Sequence, residues 1–143
     1  MVKGYKPATR SRHPGFLAAA LICLAIASCA TVSPFERMRP IMGNWLTDQG
    51  ITVAIRQSPD ETFGAYIVSA PGFRGNIMEV GSAVITDIIP RPDDTFTGRF
   101  ILPGDEKPVS VQMALSSRGE LIIVARDRRF GAGAMTWRRV IRR

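Results

Sequence analysis

From residue 30 onward the chain has no cysteine and no histidine; Cys23, Cys29 and His13 are the whole supply in 143 residues. A disulfide inside the C-terminal body is therefore excluded, and a domain there must be held by its core alone. Ser-His-Asp and Cys-His catalysis are excluded from that body too, as is any zinc, copper or haem site built on His or Cys ligands. Acidic residues are missing from the N-terminal segment, which instead carries Lys3, Lys6, Arg10 and Arg12. No apolar run reaches the roughly 20 residues that a membrane-spanning helix needs.

What the N-terminus does have is a basic start followed by the apolar run Phe16 to Ala27, the pattern of a secretory signal peptide. A spanning anchor from Phe16 to Val32 is the alternative, if Ser28 and Thr31 are accommodated in lipid. The run closes on Ile26-Ala27-Ser28-Cys29, which resembles the bacterial lipobox. The resemblance implies cleavage before Cys29 and acylation of that cysteine. Two or three acyl chains give a lasting membrane anchor where one gives only marginal binding. It also implies a place in the bacterial cell envelope on the periplasmic side, and Ala30 in place of Asp points to the outer membrane. An ordinary cleavage site beside a plain thiol is the other reading of Cys29. Residues 1–28 are thus expected to be the lipoprotein signal peptide, 29–42 the lipidated cysteine and its tether, and 43–143 a β-barrel domain. Removal of the signal leaves 115 residues, enough for one domain with a modest core. It also leaves 15 basic residues against 12 acidic ones, a net charge of +3 instead of +7.

Thr31 to Pro40, with Ser33-Pro34 and Arg39-Pro40, shows no period and reads as a tether reaching at most roughly 36 Å. From Gly43 the hydrophobic period is two, broken by clusters of Gly, Pro, Asp and Ser. Eight strands are expected: 43–47, 51–57, 62–69, about 83–89, 95–102, one around Val109 to Leu115, 120–126 and 134–141. No helix is expected after the signal, and no internal repeat is evident. Gly98 falls on an inward face, where glycine marks a bend or a close backbone approach. Eight short antiparallel strands joined by tight turns predict an all-β fold. The expected form is an eight-stranded antiparallel up-and-down barrel, closed so that no edge is exposed, with an open sandwich as runner-up.

Gly43-Asn44-Trp45 opens this domain and Trp137-Arg138-Arg139-Val140 closes it. At these two ends the chain resembles the lipocalin-like, or calycin, barrels, and also a family of uncharacterised small bacterial envelope proteins with a Gly-x-Trp opening and a Trp-x-Arg-Val close. The calycin resemblance implies that Trp45 packs at a closed end under an Arg or Lys from the last strand. Arg139 shares the apolar face of its strand and is the expected cation–π partner of Trp45, a structural role.

A small apolar or lipid-like ligand held inside the barrel is the first functional expectation, with Phe63, Phe96, Phe100, Met113 and Trp137 as its lining and the Phe73 loop as its lid. The same side chains also serve as plain filling, which a barrel of eight strands requires. The acidic pairs Asp60-Glu61, Asp93-Asp94 and Asp105-Glu106 sit in Pro- or Gly-containing turns and read as solvated turn formers rather than acid–base pairs. Arg126, Arg128, Arg129, Arg138, Arg139, Arg142 and Arg143 offer a basic surface to anionic lipid headgroups, lipopolysaccharide or another acidic envelope polymer, or else form a solvated rim. Nucleic acid is not expected, because the export signal puts the domain on the wrong side of the membrane and no exposed aromatics interleave these arginines. Neither cofactor nor metal is implied. The sequence therefore points to a membrane-anchored, non-catalytic binding protein. The alternative is an envelope interaction protein, an inhibitor or assembly accessory, with a fully packed barrel.

Overall fold

The computed structural model describes residues 31–71, 79–102, 104, 106–125, 127 and 134–141. The lipobox, Cys29, His13, the Phe73 loop, Asp105 and Arg126, Arg128, Arg129, Arg142 and Arg143 lie outside them. Eight strands follow one short helix: α1 (Pro34–Met38), β1 (Gly43–Leu46), β2 (Thr52–Gln57), β3 (Phe63–Ser69), β4 (Ala83–Pro90), β5 (Phe96–Phe100), β6 (Val109–Leu115), β7 (Leu121–Ala125) and β8 (Ala134–Arg139). Each strand pairs antiparallel with its neighbour in sequence, and β8 returns to β1 through Trp45↔Arg139 and Leu46↔Arg138. The result is a closed, eight-stranded, antiparallel up-and-down barrel.

Alternation does most of the work. In β6 the order is buried at Val109, Val111 and Met113 and exposed at Ser110 and Gln112, the period-two pattern of a strand with one wet face. Phe96, Gly98 and Phe100 point inward in the same way on β5. At Gly98 a Cβ would lie 2.8 Å from Ile85 Cγ2 and 3.3 Å from Met113 Cε, so the missing side chain is what lets β4 and β6 side chains meet there. Gly98→Val is expected to destabilise the fold by about 1–3 kcal/mol through overpacking, read as a lower urea midpoint with an unchanged m-value.

The connections are of two kinds. At one end the turns are tight: Ser58, Arg91 and Ser116 each donate a backbone N–H to the carbonyl four residues on, at 2.8 Å in all three. The other end carries the 47–51 turn and the longer connections 70–82, 101–108 and 126–133. The tight end is covered by α1. Ser33 caps that helix, its Oγ accepting from Glu36 N at 3.3 Å, and Pro34 occupies the first turn, where its missing N–H costs nothing. Met38 and Ile41 are fully buried in the core, Phe35 stands 6.4 Å from the Phe63 ring, and Arg37 Nη2 donates to the Arg91 carbonyl at 2.6 Å. The expected tether is thus partly folded: from Pro34 the chain is a plug of the barrel, not a spacer. The period-two reading missed it because five residues are too few to show a helical period.

Candidate functional site

At the tight end, the two motifs that bracket the domain meet. Trp45 and Arg139 are register partners across β1 and β8, and the guanidinium carbon lies 4.3 Å from the Trp45 ring centroid. Arg139 Nη1 donates to the Met42 carbonyl at 2.9 Å and Nη2 to that of Pro40, so the planar fork ties the last strand to the segment after α1. Trp45 Nε1 donates to the Ile41 carbonyl at 2.8 Å. Gly43 has φ +113, and a Cβ on it would stand 3.3 Å from Arg139 Nη1. The positive φ favours glycine, and the close approach of the guanidinium adds to it, which gives Gly-x-Trp a physical reason. With the Trp45 N–H and both Arg139 amino groups bonded to the 40–42 carbonyls, this end is built for closure.

The opposite end is different. Ile51, Val53, Val84, Phe100, Met135 and Trp137 wall a recess of about 50 Å³ below the 47–51 turn, whose Thr47, Asp48 and Gln49 form its lip. The recess is almost wholly apolar. Of the five side chains expected to line a ligand site, Phe100 and Trp137 are on it. Phe63, Phe96 and Met113 are not: they are buried in the core, Phe63 and Phe96 directly after the tight-end turns and Met113 opposite Phe96 in the β5–β6 register. Ile51, Val53, Val84 and Met135 are the walls that sequence reasoning did not name. Trp137 Nε1 is buried without a hydrogen-bond partner among the described residues. A wider, open groove crosses the outer face of β4 to β7 over Thr97, Arg99, Ser110, Gln112 and Val124, beside the Arg99–Asp87 pair at 3.9 Å.

The charged residues fall into place around this frame. Tyr66, on the outer face, lies under Arg56, whose guanidinium carbon is 4.5 Å from the ring centroid. Arg138 points outward and pairs loosely with Glu120 at 3.9 Å, while Arg139 turns to the barrel end and so is not part of an outer basic surface. The pairs Asp60-Glu61 and Asp93-Asp94 are turn formers. Asp60 Oδ1 accepts from Thr62 Oγ1 at 2.9 Å and from Ser58 Oγ, and Asp93 Oδ1 accepts from Thr95 Oγ1 at 2.6 Å. These donors favour the charged carboxylates, Ser58 and Thr62 at Asp60 and Thr95 at Asp93, and hold both below the ordinary carboxylate value. A depressed carboxylate stabilises the fold above its unfolded-state pKa and loses that contribution as pH falls through the folded-state value. Carbon-detected titration is therefore expected to place both midpoints below that of an unperturbed aspartate. Any stability difference between wild type and Asp60→Asn or Asp93→Asn should shrink as the solution is acidified through that range.

Among the described residues no helix is long and apolar enough to cross a membrane, and no three His, Cys, Asp or Glu side chains gather as a metal-binding set. No protein-family profile, curated protein or solved structure matches the chain.

Proposed function

We propose that this protein is a non-catalytic lipoprotein of the bacterial envelope, anchored through Cys29, that binds a small apolar or lipid-like ligand in the recess at the end of its barrel opposite α1. The observation that carries the reading is the apolar recess walled by Val53, Val84, Phe100, Met135 and Trp137 at the end opposite the sealed one. Anchoring fits the same geometry. The chain enters the barrel at the sealed end through α1, and the five steps from Cys29 to Pro34 span at most about 18 Å. Under this reading the sealed end is turned to the bilayer and the mouth to the aqueous compartment.

Intact and native mass spectrometry of protein extracted from a bacterial membrane tests it. The expected result is a species that starts at residue 29 with added acyl mass, lost in Cys29→Ser, together with a co-purifying small molecule. An unprocessed chain would overturn the lipoprotein assignment and leave residues 16–32 as a spanning anchor. A second reading, an interaction protein with a packed barrel, is favoured by one observation. Ligand pockets run to about 300–1,000 Å³, and the recess, at about 50 Å³, is far smaller. A processed, acylated protein that carries nothing in the barrel would support that second reading.

A further inference from the structure

The barrel buries two indoles, and they differ in their hydrogen bonding. Trp45 Nε1 donates to the Ile41 carbonyl at 2.8 Å, whereas Trp137 Nε1, buried to the same degree, has no acceptor among the described residues. The large majority of buried side-chain polar atoms find a partner, and buried tryptophan N–H groups do so as a rule. Trp137 is not an ordinary core residue either, because it forms a wall of the recess at the mouth. Of the other lining residues, Ile51, Val53, Val84, Phe100 and Met135 carry no acceptor side chain, and Thr47, Asp48 and Gln49 of the turn do not accept from Trp137 Nε1.

We infer that the recess takes the inner end of a small amphiphile, an apolar molecule whose hydrogen-bond-accepting oxygen receives the Trp137 Nε1–H. This rests on the ligand-binding reading above and adds the chemistry of the buried end. Size limits that end. A cavity of roughly 150 Å³ holds benzene, so the recess of about 50 Å³ admits only a few non-hydrogen atoms, such as a methyl ketone, an ester carbonyl or a carboxyl group. The remainder of the ligand extends past the mouth, where the exposed side chains Leu46, Val68, Val80 and Ile101 stand at the same end of the barrel. Trp137 thereby selects for an oxygen-bearing end over a bare hydrocarbon one.

The two indoles supply their own control. The full chain is placed in lipid nanodiscs with ¹⁵N at the tryptophan indoles, and 2-butanone and xenon are added separately. Trp137→Phe assigns the signals by removing one of the two. The expected result is a downfield shift of the Trp137 indole proton with 2-butanone, a perturbation by xenon without that downfield shift, and a fixed Trp45 signal with either probe. Trp137→Phe keeps an apolar wall and loses the N–H. It is expected to weaken 2-butanone about three- to tenfold, followed on the Met135 methyl, and to leave xenon unaffected. Xenon binding with no downfield shift from saturating 2-butanone would overturn the Trp137 role while leaving the apolar recess standing. Binding of neither probe would overturn the ligand-binding reading with it. Mass spectrometry of the same sample scores the Cys29 anchor independently of both.

Discussion

Trp45→Ala is expected to remove about 3–5 kcal/mol of folding stability, a large share of the roughly 5–15 kcal/mol that holds a domain of this kind together. Three contributions go at once. The indole is fully buried in the core, so its removal leaves a cavity behind α1. The Ile41 carbonyl loses the Nε1 donor at 2.8 Å, and the Arg139 guanidinium loses the ring face 4.3 Å away. Arg139→Met separates the last term from the first, since it keeps an apolar stem against the ring and deletes the fork to Met42 and Pro40. Its expected cost is smaller, about 1–2 kcal/mol, because an exposed cation over an aromatic ring and hydrogen bonds near solvent are each worth little. Urea unfolding of both variants gives the comparison. A Trp45→Ala variant within 1 kcal/mol of wild type would show that this end does not close the barrel energetically.

The strands were legible because one physical pattern wrote them. Val109 to Leu115 alternates so cleanly that the β6 bounds can be taken from the sequence, and the Ser58-Pro59-Asp60 and Arg91-Pro92-Asp93 turns end β2 and β4 where turn chemistry requires. β5 stops at Phe100, short of the expected Leu102, although Ile101 N still donates to the Val84 carbonyl of β4 at 2.8 Å. Two signals were present and unread. Ser33-Pro34-Phe35-Glu36 has the S-x-x-E spacing of a helix start with proline at the first position, and it is α1. Pro59-Asp60-Glu61-Thr62-Phe63 and Pro92-Asp93-Asp94-Thr95-Phe96 are a short repeat, and both fold into the same tight turn, with φ 65 at Glu61 and φ 58 at Asp94. The irregularity of β4 at Asp87, with φ 52 and a shifted register between Thr86 and Ile89, has no such mark in the sequence.

The candidate site was legible only in part. Parity tells which side chains face inward, and all five expected lining residues do. Depth along the barrel axis is a separate coordinate, and it decides which inward residues reach the mouth. Phe63 and Phe96 follow the tight turns and so belong to the sealed half, whereas Phe100 ends β5 near the longer connections. Once Trp45 and Arg139 are taken to mark the sealed end, counting hairpins assigns every inward residue to one half or the other. Ile51, Val53 and Met135 would have been found that way. The unpartnered N–H of Trp137 would not, because it depends on where neighbouring carbonyls fall after the strands have twisted and closed.

Met38→Ala is expected to cost about 2–5 kcal/mol, the usual range for truncating a fully buried methionine. A residue in a solvated tether would change stability by no more than about 0.5 kcal/mol, so the two descriptions of residues 34–42 are far apart. The contacts favour the larger figure. Met38 and Ile41 are both buried without remainder, and the carbonyl of Met38 accepts from Ile41 N at 3.0 Å and Met42 N at 3.2 Å, closing the turn that delivers the chain to β1. The loss should be seen in urea unfolding with an m-value close to wild type, because the barrel itself remains the folding unit. Under the proposed acyl anchor at Cys29, its consequence reaches the membrane. If α1 is part of the barrel, little free chain is left between Cys29 and a folded surface, and the sealed end is held close to the bilayer. If Met38→Ala costs nothing, α1 is not anchored, the free span lengthens to the whole of residues 29–42, and the mouth of the barrel is at liberty to face either way.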